Sequence, residues 1–380
     1  MPLIQIVALL MTGLGMSFTP LPSVAAEAVM ASQEHAFRVV TVTRGLEYPW
    51  GLAFLPDGRF LVTERPGRLR LVAADGRLDP QPVTGLPDIA AHGQGGLLDV
   101  ALHPQFSDNG LVYLSYAARG TGGVGTEVAR GRLVDHRLEH LEILFRQQPK
   151  SSTGRHFGSR LVFDRTGHLY ITLGDRGEMQ RAQKMDDLAG KIVRLNADGQ
   201  IPPDNPFVQQ ANARPEIYSL GNRNVQGAAL HPLTGELWTH EHGPQGGDEV
   251  NVIRAGRNYG WPVITYGVEY GIGTQIGEGT RKEGMEQPLH IWVPSIAPSG
   301  LAIYQGDRFP RWRGDLFVGA LRAQMLVRLR FDGEKMAREE RLLEGTLGRI
   351  RDVRVGPDGY VYLLTDASNG VIARLEPATR

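Results

Sequence analysis

The chain of 380 residues contains no cysteine, which excludes disulfide bonds, thiolate metal sites and a cysteine nucleophile. It also lacks a basic excess, since 41 Lys and Arg residues balance 41 Asp and Glu residues. Proteins that bind nucleic acid through its phosphates usually carry such an excess, so we expect no nucleic-acid partner. The remaining composition, 41% hydrophobic and 22% charged, is that of a globular protein.

Long apolar runs are scarce, and the clearest one lies at the N-terminus. The run from Leu3 to Met16 is too short to cross a bilayer comfortably. The small residues of Ser23-Val24-Ala25-Ala26 follow it and are typical of cleavage after Ala26. No Lys or Arg precedes the run, and a buried N-terminal helix is the alternative. We predict a signal peptide over residues 1–26, a mature domain over residues 27–380, no membrane span, and a periplasmic or secreted location.

One pattern recurs along the whole mature chain: a short apolar strand, a turn rich in Pro, Asp and Gly, and a second apolar strand. A further strand often follows each pair. Six copies at roughly 50–70 residue spacing predict an all-β fold, a six-bladed β-propeller, where two β-sandwiches would be the alternative. The segment Phe37–Thr43 is expected to close the ring, and the one helix signal lies near Met179–Leu188. The copies begin near Trp50, Gly96, Ser159, Gln226, Pro298 and Asp352.

The loops that precede these copies carry the candidate chemistry. His156 lies in a glycine-flanked loop before the third copy and is a candidate general base, because imidazole titrates near neutral pH. The alternative is a surface histidine that bonds its own loop. Gln94, between glycines before the second copy, indicates a close backbone approach or simply a tight turn. Arg223 and Asn224 before the fourth copy offer a forked cation and an amide to an anionic or carbonyl oxygen.

Two further segments indicate an anionic ligand and a cation. Arg349 and Arg351, two apart on an extended segment, are expected to point the same way and to favour an anion between them. The segment from His240 to Glu249 contains a Gly-Pro pair and an Asp-Glu pair, which suit calcium better than zinc. Exposed arginines and a solvated hairpin loop are the alternatives. Together the loops fit a multiply anionic organic cofactor with calcium beside it.

Six motifs, in this order, are distinctive as a set: Gly93-Gln94-Gly95-Gly96, His156-Phe157-Gly158-Ser159-Arg160-Leu161, Gly221-Asn222-Arg223-Asn224-Val225-Gln226-Gly227, His242-Gly243-Pro244, Asn258-Tyr259-Gly260-Trp261-Pro262 and Arg349-Ile350-Arg351-Asp352. The set resembles the soluble glucose/sorbosone dehydrogenase family that depends on pyrroloquinoline quinone (PQQ). Within that family the chain is most similar to the compact aldose sugar dehydrogenases. The resemblance covers essentially the whole mature chain and implies a six-bladed propeller.

The resemblance implies a function, the oxidation of the C1 hydroxyl of aldose sugars to lactones, with the electrons passed to an external acceptor. We expect the protein to be a monomer. His156 is then the base that removes the hydroxyl proton while hydride passes to PQQ. Gln94 lies beside the substrate, Arg223 polarises the quinone oxygen, and Asn224 helps to hold the ring. A calcium-dependent lactonase or esterase, and a non-catalytic binding propeller, are the alternatives.

The resemblance also implies ligands for the cofactors. The carbonyl oxygens of Gly243 and Pro244 are implied to bind the calcium that also ligates PQQ, and Glu249 and the Tyr259 carbonyl match a second, structural calcium site. Arg155 departs from the pattern, because the glucose dehydrogenases have an acid before the base. One of the implied arginines departs too, since those enzymes have a lysine where Arg322 stands. The implied partners of the PQQ carboxylates are Arg322, Arg349 and Arg351.

Overall fold

A computed structural model of the protein describes residues 28–379, and the predicted signal peptide over residues 1–26 lies outside them. Six antiparallel sheets follow one another along the chain and confirm the predicted six-bladed β-propeller. The first three blades are β3–β5, β6–β9 and β10–β13. The strands up to that point are β1 Met30–Ala31, β2 Ala36–Leu46, β3 Pro49–Phe54, β4 Phe60–Glu64, β5 Arg68–Val72, β6 Leu97–Leu102, β7 Leu111–Gly120, β8 Gly123–Val134, β9 Arg137–Arg146, β10 Leu161–Phe163, β11 His168–Thr172, β12 Lys191–Asn196 and β13 Ile217–Leu220.

Blades 4 and 5 are β14–β17 and β18–β21, and blade 6 combines the last three strands with the first two, in the order β1-β2-β24-β23-β22. The remaining strands are β14 Val225–Leu230, β15 Leu237–Glu241, β16 Asp248–Ile253, β17 His290–Trp292, β18 Pro298–Ile303, β19 Leu316–Ala320, β20 Leu326–Asp332, β21 Lys335–Leu342, β22 Ile350–Val355, β23 Val361–Thr365 and β24 Gly370–Pro377.

Helix is confined to three short segments within residues 28–379: α1 Phe106–Asn109 and the 3-10 turns Met179–Gln183 and Pro310–Trp312. The helix expected near Met179–Leu188 is therefore wrong beyond its first five residues. Lys184 leaves the helical region with φ −83° and ψ 128°, and Arg181 instead pairs with the nearby Asp187 at 2.7 Å. The ion pair holds the chain in a compact loop rather than in a continued helix.

The turns of the repeat follow from their Asp-Gly pairs. In blade 1, Gly58 has φ +86°, a left-handed conformation that glycine adopts without steric cost. The carboxylate of Asp57 accepts a hydrogen bond from the backbone N–H of Arg59 at 3.1 Å. Blade 6 repeats the device with Gly359 at φ +80° and Asp358. These two turns are thus stabilised by contacts within the turn itself.

The ring is closed by β2, which pairs with β24 from Phe37↔Pro377 onward, as the sequence predicted for Phe37–Thr43. Phe37 is 1% exposed and packs between blades 5 and 6, where its ring centroid lies 5.8 Å from that of Trp312. Trp312 in turn stacks on Phe309 with centroids 4.1 Å apart. The closing strand β2 is therefore held by its backbone pairing with β24 and by the buried ring of Phe37.

We expect Phe37→Ala to lower the free energy of unfolding by about 3–5 kcal/mol, because it removes a buried aromatic ring from the closing strand. Arg38→Ala on the same strand is the control; its side chain is 47% exposed and meets Glu376 only at 3.9 Å. That control should cost less than about 1 kcal/mol. Urea unfolding of both variants measures the difference, and equal losses would show that Phe37 does not anchor the ring.

Candidate active site

A cavity of about 320 Å³ lies on the propeller axis, at the end where the innermost strands begin. Several of these strands shift register by one residue at that end, which is a β-bulge, and a bulge redirects the side chain of its extra residue. The extra residue is Trp50 in β3, Gln226 in β14 and Arg351 in β22. All three line the cavity. The bulges therefore aim side chains of blades 1, 4 and 6 at one point.

His156 lies in a strained loop at the edge of this cavity. Its φ is +55°, and Gly158 and Ser159 follow with φ +63° and +86°. The loop is fixed by Gln94, whose side-chain oxygen accepts the His156 N–H at 2.9 Å and whose own N–H donates to the Gly154 carbonyl at 2.7 Å. A side chain at Gly93 would come within 2.2 Å of the same carbonyl. The glycines around Gln94 are thus required for this approach.

Asp175 holds the imidazole of His156, and the sequence analysis did not select it. One Asp175 oxygen lies 2.6 Å from His156 Nδ1 and accepts the Gly177 N–H at 2.7 Å. The other oxygen accepts the indole N–H of Trp261 at 2.8 Å. No described residue hydrogen-bonds the Nε2 atom, so this nitrogen can accept a proton. The arrangement is that of an imidazole base oriented by a buried carboxylate.

The surroundings of this pair keep the His156 imidazole neutral and the Asp175 carboxylate ionised. Burial lowers the pKa of His156 below its ordinary value, and Arg223 and Arg155 lower it further, while the hydrogen bond to Asp175 raises it. Burial raises the pKa of Asp175, but the hydrogen bond from His156 and the charges of His156 and Arg223 hold it below its ordinary value. The imidazole is therefore neutral and the carboxylate ionised at neutral pH.

Arg223 and Asn224 lie on a loop that the buried Glu241 holds by its carboxylate. Glu241 accepts the backbone N–H groups of both residues, that of Asn224 at 3.1 Å. The Asn224 side-chain oxygen accepts the N–H of Gly158, two residues from His156, at 3.1 Å. The Arg223 guanidinium lies 5.4 Å from the Trp261 ring. The structure thus brings Gln94, His156, Arg223 and Asn224 to one region.

Arg349 and Arg351 reach the same cavity, and both contact Asp366, which the sequence analysis missed. Arg349 binds one Asp366 oxygen at 2.8 Å, and Arg351 approaches the same oxygen at 3.4 Å. Burial lowers the pKa of Arg351, and the neighbouring Arg349, Arg160 and Arg65 lower it further. Its Nε atom is buried without a hydrogen-bond partner in the described chain. The cluster therefore has more positive charge than its own acids balance.

Arg322 lies apart from this cluster. It follows Leu321, which lines the cavity and accepts a hydrogen bond from Arg349 at 3.4 Å, but the Arg322 side chain is exposed. No carboxylate of the described chain pairs with it. The structure thus places Arg322 next to a residue of the cavity wall, with an exposed side chain.

The segment from Gly243 to Asp248 forms a tight loop beside the cavity. The buried Asp248 is not free to bind a metal, because its carboxylate accepts hydrogen bonds from Gly243 N at 2.9 Å, Ser295 Oγ at 2.8 Å and the N–H groups of Ile296 and Ala297. The carbonyl oxygens of Gly243 and Pro244 accept no hydrogen bond from the described residues. These carbonyls fit a hard cation.

The neighbouring histidines are committed to the backbone of β18. His240 Nε2 lies 3.3 Å from the Gly300 carbonyl, and His242 Nε2 lies 2.7 Å from the Pro298 carbonyl. Burial lowers the pKa of both imidazoles. No cluster of three or more His, Asp or Glu side chains suited to a metal occurs in residues 28–379.

Glu249 lies directly across the strand pair from Glu241. Burial raises the pKa of Glu249, and the Glu241 carboxylate raises it further. The one hydrogen bond that its carboxylate accepts from residues 28–379 comes from Asn251 at 3.2 Å. Tyr259 is buried, and its hydroxyl donates to Val252 O at 2.6 Å, whereas its carbonyl meets no donor in the described chain. Two carboxylates that face each other are a setting that a divalent cation stabilises, and an unpaired carbonyl is an oxygen ligand of the kind that such a cation accepts.

Comparison with known proteins gives the family. The glucose/sorbosone dehydrogenase family model matches residues 46–374. The aldose sugar dehydrogenase YliI of Escherichia coli is 44% identical over 366 residues, covering 95% of this chain and 98% of that protein. The chain belongs to the glucose/sorbosone dehydrogenase family.

Solved structures of similar proteins support the assignment of this chain to the family. The apo form of the aldose sugar dehydrogenase of E. coli superposes with a TM-score of 0.88 at 46% identity, over 90% of this chain and all of that one (100%). The PQQ-bound aldose sugar dehydrogenase of Streptomyces coelicolor superposes with a TM-score of 0.74 at 30% identity, over 90% and 98% of the two chains. Membership confirms the prediction that the protein is an enzyme, an oxidoreductase.

The site of this family member includes residues to which the sequence pattern assigned no role: Asp175, Trp261, Asp366, Gln226, Trp50 and Arg65. A signal for two of them was present, because Asp175 and Asp366 both come shortly after the second strand of a repeat. The second strands run toward the cavity when the first strands run away from it. An acid just past such a strand is therefore placed at the cavity edge.

We expect His156 to titrate below pH 6.5, and Asp175→Asn to lower its pKa further, because the Asp175 carboxylate is the group that raises it while Arg223 and Arg155 lower it. Two-dimensional NMR of labelled histidine side chains measures both values, with His156→Gln assigning the signal. His136→Gln, in an exposed pair with Asp79, is the control and should leave the signal in place. A wild-type value above 6.5, or a rise in Asp175→Asn, would contradict the assignment of charges.

Proposed function

We propose that the protein oxidises the C1 hydroxyl of aldose sugars to lactones with PQQ as oxidant and passes the electrons to an external acceptor. One observation supports this most strongly. A neutral imidazole, oriented by a buried carboxylate, lies at the edge of an axial cavity that has more arginines than acids. A base beside a site for a polyanion is what such a reaction needs.

The residues fit PQQ, a quinone with several carboxylates. The orphaned Nε of Arg351 and the crowding of Arg349, Arg351 and Arg65 call for an anionic partner. Arg349 and Arg351 would hold the carboxylates of the cofactor, and the exposed Arg322 is proposed as a third partner. Arg223 and Asn224 would contact the ring. Bound PQQ supplies a two-electron acceptor for the hydride of sugar C1, and bound calcium supplies a Lewis acid.

The chain's own residues manage the proton. Nε2 of His156 takes the proton of the C1 hydroxyl, and Asp175 fixes the tautomer that carries hydrogen on Nδ1 and stabilises the imidazolium that results. Gln94 keeps the loop of His156 in its strained position beside the substrate. Arg223 places positive charge where an oxygen gains negative charge. Catalysis thus depends on the position of the loop that carries His156.

Calcium is proposed at two places. The carbonyls of Gly243 and Pro244 would bind the ion that meets the cofactor, and Glu249 with the Tyr259 carbonyl would bind a second, structural ion. The free carbonyls and the crowded carboxylates support this proposal. Asp248, by contrast, supports the first site indirectly, because it clamps the loop through the Gly243 N–H.

The alternatives fit the axis less well. A calcium-dependent lactonase would use acidic side chains on the axis as metal ligands. Here the axial acids Asp99 and Asp352 are paired with Arg160 at 3.0 and 3.1 Å and with Arg354 at 2.7 and 2.8 Å. A non-catalytic binding propeller would have no use for the buried pair of His156 and Asp175.

The cellular setting is also proposed. We propose that residues 1–26 direct export and are removed, that residues 27–380 form one mature domain, and that this domain acts as a periplasmic or secreted monomer. Residues 28–379 contain no helix with the length and hydropathy needed to cross a membrane.

We expect apo protein reconstituted with PQQ and calcium to reduce a dye with an aldose, and His156→Ala to lower kcat by about 10²–10⁴ fold, because general-base assistance is lost. His136→Ala is the control and should keep the wild-type rate. Quinone absorbance on the purified variant should persist, since His156 does not line the arginine cluster. Absence of both dye reduction and bound quinone in the wild type would reject the function.

We expect calcium to stabilise the protein, by about 2.7 kcal/mol at 100 times its Kd. Glu249→Gln should reduce this gain and should also stabilise the calcium-free protein, because it removes one of two crowded carboxylates. The exposed Glu283→Gln is the control and should change neither value. Thermal unfolding with calcium or a chelator measures both, and an unchanged calcium response in Glu249→Gln would remove Glu249 from the ligands.

A further inference from the structure

Arg155, the residue before the base, carries a positive charge that the described chain does not balance. Its side chain is exposed. No carboxylate of residues 28–379 lies within ion-pair distance of it. The nearby acids have other partners. Asp175 binds His156 and Trp261, and Glu178 binds Ser151 at 2.5 Å and Arg181 at 3.2 Å.

The position of Arg155 is fixed although its guanidinium is exposed. Its backbone carbonyl accepts a hydrogen bond from the buried Arg176, which also donates to the Thr153 carbonyl at 2.7 Å. Its side chain crosses Gly177, where an added Cβ would lie 2.4 Å from Arg155 Nε. The absence of a side chain at position 177 thus leaves room for the guanidinium. The side chain thus lies over Gly177, on the residue next to the base.

Arg349 and Arg351 are placed to bind the cofactor, whereas Arg155 is not. Arg349 and Arg351 line the arginine cluster with Asp366. Arg155 does not line the cavity and instead adjoins His156, close enough for its charge to lower the pKa of that imidazole. A neutral sugar gives a guanidinium little to bind, whereas a carboxylate or phosphate gives it a charge-assisted, forked contact.

We propose that Arg155 selects aldoses that carry an anionic group, a carboxylate or a phosphate, at the end of the molecule away from C1. With C1 at His156, the opposite end of a pyranose ring lies one ring width away, within reach of an arginine on the adjacent residue. The inference rests on the proposed function of the site. The reaction is unchanged: the C1 hydroxyl proton goes to His156, and the hydride and its two electrons leave C1 for the bound oxidant.

The experiment compares kcat/KM of the holoenzyme for glucose, glucuronate and glucose 6-phosphate at low and high salt. We expect the ratio of each anionic sugar to glucose to fall about three- to fivefold in Arg155→Gln, the range of a single exposed ion pair, and further in Arg155→Glu. Arg155→Lys should retain most of the ratio. The wild-type ratio should fall with salt, because screening weakens the contact.

Arg313→Gln is the matched control, since Arg313 is exposed beside β19 on the opposite face of the propeller, and it should leave the ratio unchanged. Ratios unaffected by Arg155→Gln, with glucose still oxidised, would overturn the inference and leave the proposed function standing. Oxidation of no aldose would reject the proposed function instead. Calorimetry of glucuronate binding to dithionite-reduced holoenzyme, which cannot turn over, tests Arg155 in either case: equal affinity in wild type and Arg155→Gln would overturn the inference.

Discussion

A buried ionic cluster on the propeller axis is the interaction on which the rest of the site depends. Arg160 of blade 3 lies between Asp99 of blade 2 and Asp352 of blade 6, and Arg354 contacts both acids from the other side. Asp99, Arg160 and Asp352 are at most 1% exposed. Loss of any one member would leave a buried charge without its partner, which costs several kcal/mol. The cluster therefore fixes the rotation of three blades about one axis.

The same cluster lies beneath the cavity, because Arg160 contacts Trp50 of the cavity lining. Arg160 lies under Trp50 with its guanidinium 4.3 Å from the ring, and its Nε donates to the Gln226 carbonyl at 3.1 Å. Within this cluster two acids balance two arginines. Above it, Arg349 and Arg351 share a single acid, Asp366. Because burial makes such an excess of positive charge unfavourable, the arginines above the cluster favour an anionic ligand. The cluster below them keeps that ligand from entering the axis.

His156, the base, lies in a strained backbone conformation, and contacts with the surrounding residues offset the cost of that strain. His156 has φ +55° and Arg176 has φ +61°, a region that side chains other than glycine seldom adopt. Arg176 is fully buried, lies 3.5 Å from the centre of the Phe157 ring and donates to loop carbonyls. Asn224 ties the far side of the loop to blade 4. A histidine that merely bonded its own surface loop would need none of these supports.

The sequence by itself determined the fold and the order of the functional loops. The period-two strands and Asp-Gly turns are local signals, so six blades, the closing strand Phe37–Thr43 and the loops that carry His156, Arg223 and Arg349 could be read from the chain. Only the tertiary structure decided which side chains meet. Asp175 and Asp366 join the site through partners 19 and 15 or more residues away. The bulge at Arg351 breaks the simple alternation that sequence periodicity assumes, because register is set by pairing between strands and not within one.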